Sequence, residues 1–126
     1  MKKAGLWIDH RKAVILTSST EGEKVSQISS GIKKHVRIVG ETPLDVSHED
    51  AMDRQFEHQL NKYYQGIIPF LRGAETIQIF GPGEAKKELE AHLKKYGLDK
   101  RVVAIKTMDK MTDRQVIAEI RRHIQE

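Results

Sequence analysis

Short apolar runs in the first 40 residues predict a β-sheet. Residues 6–8 and 13–16 are apolar and flank the charged tetrad at 9–12, which is typical of two strands joined by a tight turn. Residues 24–30 resemble a third strand, and residues 35–39 alternate polar and apolar side chains as a half-buried strand does. The pattern therefore predicts an antiparallel meander of three or four strands.

The spacing of apolar residues changes after residue 48 and predicts a long helix. We expect residues 40–48 to form a loop and Ser47 or His48 to cap the helix. At the other end, Pro69 should kink the helix or end it near Ile68. The apolar face recurs every three or four positions, at Met52, Phe56, Leu60, Tyr63, Ile67 and Leu71.

Two strand–helix units follow the long helix. Residues 76–80 and 102–105 are predicted strands, the second one buried, and residues 84–96 form a helix that Gly97 closes. Thr112 and Gln115 have the spacing of a capping box at the start of a last helix. The order predicts an α/β (α+β) fold in one domain, residues 1–126, with a mixed sheet: an antiparallel meander, then parallel strands.

Composition narrows the class of protein. The chain has 126 residues, 38% of them hydrophobic, and no cysteine, which excludes disulfides, thiolate metal sites and cysteine nucleophiles and indicates a reducing, cytoplasmic setting. No apolar run is long enough to cross a membrane, and the charged residues at 9–12 argue against a signal peptide. The sequence contains no motif typical of a cofactor or metal site, so neither is expected.

The positive charge is concentrated near the N-terminus. The formal net charge is +4, and residues 1–40 hold eight Lys/Arg but three acidic residues. Such a segment can be a solvated sheet surface or can attract a polyanion such as RNA. Only Trp7 and Tyr64 are expected as possible exposed aromatic residues that could stack on bases. Because so few are expected, RNA would be bound mainly through its backbone. The basic residues expected to contact phosphates are Arg11, Lys12, Lys33, Lys34 and Arg37.

The glycine turn before the second predicted helix has both a chemical and a structural interpretation. The turn Gly81-Pro82-Gly83 precedes a helix, where Gly81, Gly83 and Lys86 could bind an anion, although the chain has neither a P-loop nor a dinucleotide fingerprint. Structural use of the glycines is the favoured explanation of the turn.

Two histidines lie beside carboxylates. Asp9 precedes His10, and His48 lies between Asp45 and Glu49, so either imidazole could act as a general base, with the carboxylate as orienting group or metal ligand. The structural alternative is an exposed, locally hydrogen-bonded histidine.

Three segments resemble a known family. They are LWIDHRKAVIL at 6–16, IFGPGEAKKELEAHL at 79–93 and TMDKMTDRQVIAEIRRH at 107–123. They resemble short bacterial proteins known as translational-machinery or host-attachment-like proteins, which are similar to the middle domain of the archaeal and eukaryotic peptide-chain release factor and of Pelota. The resemblance implies the mixed-sheet fold and a translation context.

The chain departs from the release factor at its catalytic element. In that family a loop before the long helix carries Gly-Gly-Gln, whose glutamine positions the water that cleaves peptidyl-tRNA. Residues 40–48 contain no such tripeptide, and Gln55 lies within the predicted helix.

The sequence is compatible with three functions. The resemblance favours a ribosome- or RNA-binding domain without peptidyl-tRNA hydrolase activity. The alternatives are a small ester or phosphodiester hydrolase using His10 or His48, and a homo-oligomeric module that pairs through a meander edge or the face around Tyr63 and Tyr64.

Overall fold

The structure is a computed structural model that describes residues 2–32 and 46–125, and side chains within the first helix from residue 54 onward. These residues form a five-stranded sheet and three α-helices, so the predicted α+β class is confirmed. The strands are β1 (Lys3–Ile8), β2 (Lys12–Ser19), β3 (Gly22–Ser29), β4 (Thr76–Gly81) and β5 (Val102–Thr107). The helices are α1 (Val46–Leu71), α2 (Ala85–Lys95) and α3 (Asp113–Gln125).

The sheet is mixed, as predicted, and β1 is its central strand. The strand order is β3-β2-β1-β4-β5. β1 pairs antiparallel with β2 and parallel with β4, and β5 continues the parallel part. Leu6, for example, lies between Ile15 of β2 and Ile79 of β4. The carboxyl ends of β1, β4 and β5 therefore lie at one end of the sheet, called the carboxyl end below.

Helices cover both faces of the sheet. Leu6 and Ile8 belong to a core that α1 and α2 share with one face, whereas Trp7 belongs to a second core beneath α3. All three side chains are completely buried, which explains why β1 is a continuous apolar run rather than an alternating one. Burial of each such side chain contributes about 1.5–3 kcal/mol to folding.

Local sequence signals end the second helix and begin the third as predicted. Gly97 has φ +73°, and the N–H groups of Gly97 and Leu98 donate to the carbonyls of Lys94 and Leu93 at 3.1 and 2.9 Å. This pair of bonds is a Schellman motif. Thr112 Oγ1 accepts from the Gln115 N–H at 3.2 Å, and Gln115 Oε1 accepts from the Thr112 N–H at 3.1 Å, which confirms the capping box.

Helix α1 differs from its prediction at both ends. It begins at Val46, so the last three residues of the predicted loop are helical, and the rest of that loop lies outside the described residues. It also continues past Pro69 to Leu71. Proline removes one backbone donor, but the carbonyl of Ile68 still accepts from the Arg72 N–H at 3.1 Å, and buried Leu71 anchors the last turn.

Two strand predictions have different outcomes. The strand at 102–105 exists, but the prediction that it is buried was wrong, because β5 is the outer strand of the described sheet and Val103 is 59% exposed. The register shifts there, leaving Val103 as the extra residue opposite Ile77 and Gln78. The strand predicted at 35–39 lies outside the described residues.

Replacing Gly81 with alanine should strongly destabilise the protein. An added Cβ would lie 2.2 Å from the carbonyl oxygen of Ile8, so the β1–β4 backbones would have to separate. We expect the free energy of unfolding to fall by about 3 kcal/mol in urea denaturation. Gly83→Ala is the matched control, because its Cβ would meet nothing within 4 Å. Equal stability of the two variants would contradict the close backbone contact.

Candidate functional site

The turn between β1 and β2 lies at the carboxyl end and is closed by Asp9. The carboxylate oxygen Oδ1 of Asp9 accepts from the backbone N–H groups of Arg11 and Lys12, each at 2.8 Å. The Asp9 N–H in turn donates to the Lys12 carbonyl at 3.1 Å. The sequence suggested that Asp9 could orient His10, but this carboxylate folds its own turn instead.

The carboxylate that meets His10 belongs to Glu88 of α2. Glu88 Oε1 lies 3.0 Å from His10 Nε2 and accepts a hydrogen bond of 2.5 Å from the Tyr64 hydroxyl. The neighbouring Tyr63 hydroxyl donates to the Asp9 carbonyl at 3.0 Å. Tyrosines of α1 thus contact both the β1–β2 turn and α2. About two-fifths of the His10 and Glu88 side chains stay exposed, so solvent reaches the pair.

Burial changes the titration of both tyrosines. It is the main cause that raises the pKa of Tyr63 and of Tyr64 far above the usual value. The negative charge of Asp9 adds to the effect at Tyr63, and the hydrogen bond to Glu88 adds to it at Tyr64. Both phenols therefore remain protonated donors throughout the physiological range.

A cleft of about 300 Å³ opens beside Glu88, between α1 and α2. His92 Nε2 lies 3.2 Å from Asn61 Oδ1, and the His92 ring stacks at a tilt 5.1 Å from the Tyr64 ring. Burial lowers the pKa of His92, Lys95 lowers it further, and Glu88 opposes them, so the ring is neutral at pH 7. The residues that line the cleft are Glu57, Leu60, Asn61, Tyr64, Glu88, Ala91, His92 and Lys95.

The glycine turn after β4 has a structural role. Gly81 contacts the backbone of Ile8, and the Gly83 carbonyl accepts a 2.5 Å hydrogen bond from Lys86 Nζ. Lys86 is largely buried, so its ammonium group is directed to the turn. The anion site of Gly81, Gly83 and Lys86 stays a prediction.

The basic residues of the predicted RNA site are only partly described. Arg11 is exposed at the tip of the β1–β2 turn, whereas Lys12 forms an ion pair with Asp113 at the start of α3. Lys33, Lys34 and Arg37 lie outside the described residues, as do Asp45 and the side chains of His48 and Glu49. The contribution of these residues to RNA binding stays a prediction.

The expectation that Trp7 and Tyr64 are exposed stacking residues was wrong. Trp7 is completely buried under α3 and donates to the Met108 carbonyl at 3.1 Å, and Tyr64 is 2% exposed. Tyr63 is buried too, so the two tyrosines offer no face for self-association. Conversely, Tyr96 was expected in the core but is exposed, with the Arg72 guanidinium 5.9 Å from its ring centre.

The described part of the chain holds neither a cluster of metal ligands nor a membrane-spanning helix. Residues 2–32 and 46–125 contain no cluster of three or more side chains suited to a metal ion. No helix in those ranges is both long and apolar enough to cross a membrane.

Comparison with solved structures supplies the fold relationship. Thermoplasma acidophilum Pelota matches with a TM-score of 0.58 and 16% identity, over 94% of this chain and 31% of that one. Archaeoglobus fulgidus Pelota matches with a TM-score of 0.57 and 14% identity, over 98% and 31%. The chain resembles one domain of Pelota.

An archaeal translation termination factor shares this fold as well. It matches with a TM-score of 0.54 and 13% identity, over 98% of this chain and 39% of that one. The chain therefore spans about a third of the length of these proteins. No protein-family model and no curated protein matches the sequence. The predicted resemblance to Pelota and the release factor is confirmed at the level of the fold.

The two buried tyrosines should make the protein less stable in alkali. The unfolded chain loses their protons near pH 10 and the folded chain does not, so the folded state binds more protons above that pH. The free energy of unfolding should fall from about pH 10 upward, by up to ~1.4 kcal/mol per pH unit for each tyrosine.

Urea denaturation between pH 9 and pH 11 measures this slope. Tyr64→Phe should reduce it by about half, because one of the two groups is removed. Tyr96→Phe is the matched control, since that ring is exposed, and should leave the slope unchanged. The same slope in all three proteins would show that Tyr64 is not shielded.

Proposed function

We propose that this protein acts in translation, in the cytoplasm, by binding the ribosome or structured RNA without hydrolysing peptidyl-tRNA. The observation that carries the proposal is the fold, which matches Pelota and an archaeal translation termination factor over nearly the whole chain. The charge distribution and the sequence support the choice of partner.

The charge distribution supports a polyanionic partner. Arg11 is exposed at the tip of the β1–β2 turn, and its carbonyl accepts from the Ser30 N–H at 2.8 Å. This bond joins the turn to the end of β3, three residues before Lys33 and Lys34 in the sequence. Arg11 thus lies beside the end of the strand that leads into the densest basic run of the chain. Lys12 contributes less, because Asp113 neutralises it.

The missing tripeptide supports binding rather than hydrolysis. The sequence contains no Gly-Gly-Gln, and Gln55 lies in α1 as predicted. In the release-factor family that glutamine positions the attacking water, so its absence removes the only catalytic group that the resemblance implies. We expect the protein to occupy ribosomes without releasing a peptide.

Salt and charge reversal test the proposal. Ribosomes should cosediment with the protein at low salt, and affinity should fall with a log–log slope of about −0.7 to −0.9 for each phosphate neutralised. Lys33→Glu combined with Lys34→Glu should weaken binding at least tenfold.

The matched control reverses two exposed lysines elsewhere, Lys62→Glu with Lys100→Glu, and should bind like the unmodified protein. Salt-independent binding, or equal loss in the two double variants, would contradict a specific basic surface. Peptide release from a termination complex would contradict the non-hydrolytic part of the proposal.

The contact between His10 and Glu88 favours a second candidate function, hydrolysis of an ester or phosphodiester. Because Nε2 faces the carboxylate at 3.0 Å, an N–H there fixes the tautomer and leaves Nδ1 as a base. Model ester and phosphodiester substrates would reveal such activity. His10→Ala should then abolish turnover, while His58→Ala, an exposed histidine of α1, should not. Absence of turnover in the unmodified protein, or equal turnover in both variants, would reject this function.

A further inference from the structure

The ring of Tyr96 is an exposed aromatic surface at the end of α2, where 43% of the residue is accessible to solvent. The backbone closes this helix without the side chain, because the N–H groups of Gly97 and Leu98 supply the capping hydrogen bonds. The Tyr96 hydroxyl has no hydrogen-bond partner among residues 2–32 and 46–125. Neither the helix cap nor a side-chain hydrogen bond therefore makes use of this ring.

Arg72 lies against the Tyr96 ring and is positioned by the end of α1. Its guanidinium carbon is 5.9 Å from the ring centre, which is the distance of a cation–π contact. The carbonyls of Arg72 and Ala74 accept from Arg101 Nη1 at 2.7 and 3.1 Å, so the chain after α1 is joined to the turn that follows α2. The Arg72 guanidinium forms no ion pair with the described part of the chain. Its N–H groups can therefore donate to an external anion.

Further positive charge lies next to the ring in the sequence. Lys94 and Lys95 directly precede Tyr96, both are exposed, and neither forms an ion pair with the residues that the structure describes. Between positions 91 and 101 the sequence has one acidic residue, Asp99. Cations in the last turn stabilise a helix through its dipole, but this effect gives no reason for an exposed aromatic ring beside them. We call Arg72, Lys94, Lys95 and Tyr96 the Tyr96 surface.

The Tyr96 surface lies at the opposite end of the sheet from the β1–β2 turn. Strands β4 and β5 run parallel to β1, so the chain that leads from α2 into β5 lies at the amino end of these strands. The β1–β2 turn follows the carboxyl end of β1. Six residues of β1 separate the two ends, a distance of about 20 Å. The Tyr96 surface is therefore distinct from the exposed Arg11 at the tip of that turn.

We propose that the Tyr96 surface binds a single-stranded segment of RNA, with one base stacked on the ring and an adjoining phosphate contacted by Arg72 and the two lysines. Aromatic side chains within a positively charged surface are the usual means by which proteins bind single strands. Because every base has a face that can stack, this contact does not depend on the RNA sequence. A partner that is only anionic would contact the charges without using the ring.

The inference rests on the proposed function, since it names a second RNA contact of the same domain. The sequence suggested Trp7 and Tyr64 as possible stacking residues, but both are buried. The exposed Tyr96 takes their place, and it contacts RNA at the end of the sheet that lacks the predicted basic run.

Titration of the ¹⁵N-labelled full chain with the single-stranded hexanucleotide rU6 tests the proposal. The amide signals of residues 72–74 and 94–98 should shift. Tyr96→Ala should weaken the affinity measured at these signals about tenfold, because one stacked base is lost. Tyr96→Phe keeps the ring and should bind like the unmodified protein. Equal affinity of the two variants, or shifts confined to other residues, would overturn the proposal.

Control variants distinguish stacking from a general effect of substitution. Phe70→Ala removes another exposed ring of α1, two positions from Arg72 and therefore on a different side of the helix, and should not weaken binding. Arg72→Ala should reduce the log–log salt slope by about 0.7, the value for one phosphate of a single strand. Arg114→Ala, at an exposed position of α3, should leave the slope unchanged. Equal slopes for the two arginine variants would contradict the phosphate contact.

Inorganic hexametaphosphate separates the ring from the charges, because it carries negative charge and no base. Its affinity should be the same for the unmodified protein and for Tyr96→Ala. A tenfold loss with hexametaphosphate as well would show that Tyr96→Ala disturbs the charged groups and would overturn the stacking contact.

The combination of Lys33→Glu with Lys34→Glu separates this inference from the function on which it rests, since it should retain the rU6 shifts near Tyr96. If ribosomes bind in a salt-dependent manner but rU6 shifts no signal near Tyr96, the stacking contact is wrong and the proposed function stands. If rU6 binds at Tyr96 but ribosomes do not bind, the proposed ribosomal partner is wrong while the stacking contact is confirmed.

Discussion

The parallel pairing of β1 with β4 is the contact on which the rest of the structure depends. It joins the antiparallel meander to the two strand–helix units, and both strands are buried on both faces. At the carboxyl end the two backbones approach so closely that only glycine fits at position 81, against the Ile8 carbonyl. Because β1 and β4 end side by side, the turn after β1 lies next to the helix that follows β4.

This juxtaposition creates the polar cluster around Glu88. Glu88 lies in the first turn of α2, His10 in the β1–β2 turn and Tyr64 in the middle of α1, so one carboxylate oxygen joins three elements distant in sequence. Tyr63 adds a third contact by donating to the Asp9 carbonyl. Two members of this cluster, Tyr64 and Glu88, also line the cleft between the helices. Its geometry therefore depends on the β1–β4 register as much as on the residues themselves.

Local patterns predicted most of the fold, because strands, caps and turns depend on neighbouring residues. The capping box of Thr112 and the C-terminal Gly97 are such signals. The contact between Glu88 and His10 could not be predicted from local patterns, because the two residues are 78 positions apart in the sequence. They meet only because β1 and β4 end side by side.

The burial of side chains was predicted wrongly on helices and strands that pack against two neighbouring elements. The helical spacing predicted that Tyr63 is buried and Tyr64 exposed, because it was interpreted as one narrow buried face of the helix. In the structure α1 packs against both the sheet and α2, so its buried face is wide enough to include both rings. Trp7 was misjudged for the same reason: β1 has helices on both faces, and every side chain from Ala4 to Ile8 is buried.

The proposed function, a ribosome-binding domain that does not release peptides, rests on the fold shared with Pelota and the termination factor, on the N-terminal positive charge and on the absence of Gly-Gly-Gln. A cryo-electron microscopy reconstruction of ribosomes saturated with the protein tests this most directly. We expect density for the domain, with the β1–β2 turn and the basic residues after β3 against ribosomal RNA phosphates. Ribosomes with no bound density, or with the domain attached only through α3, would contradict it.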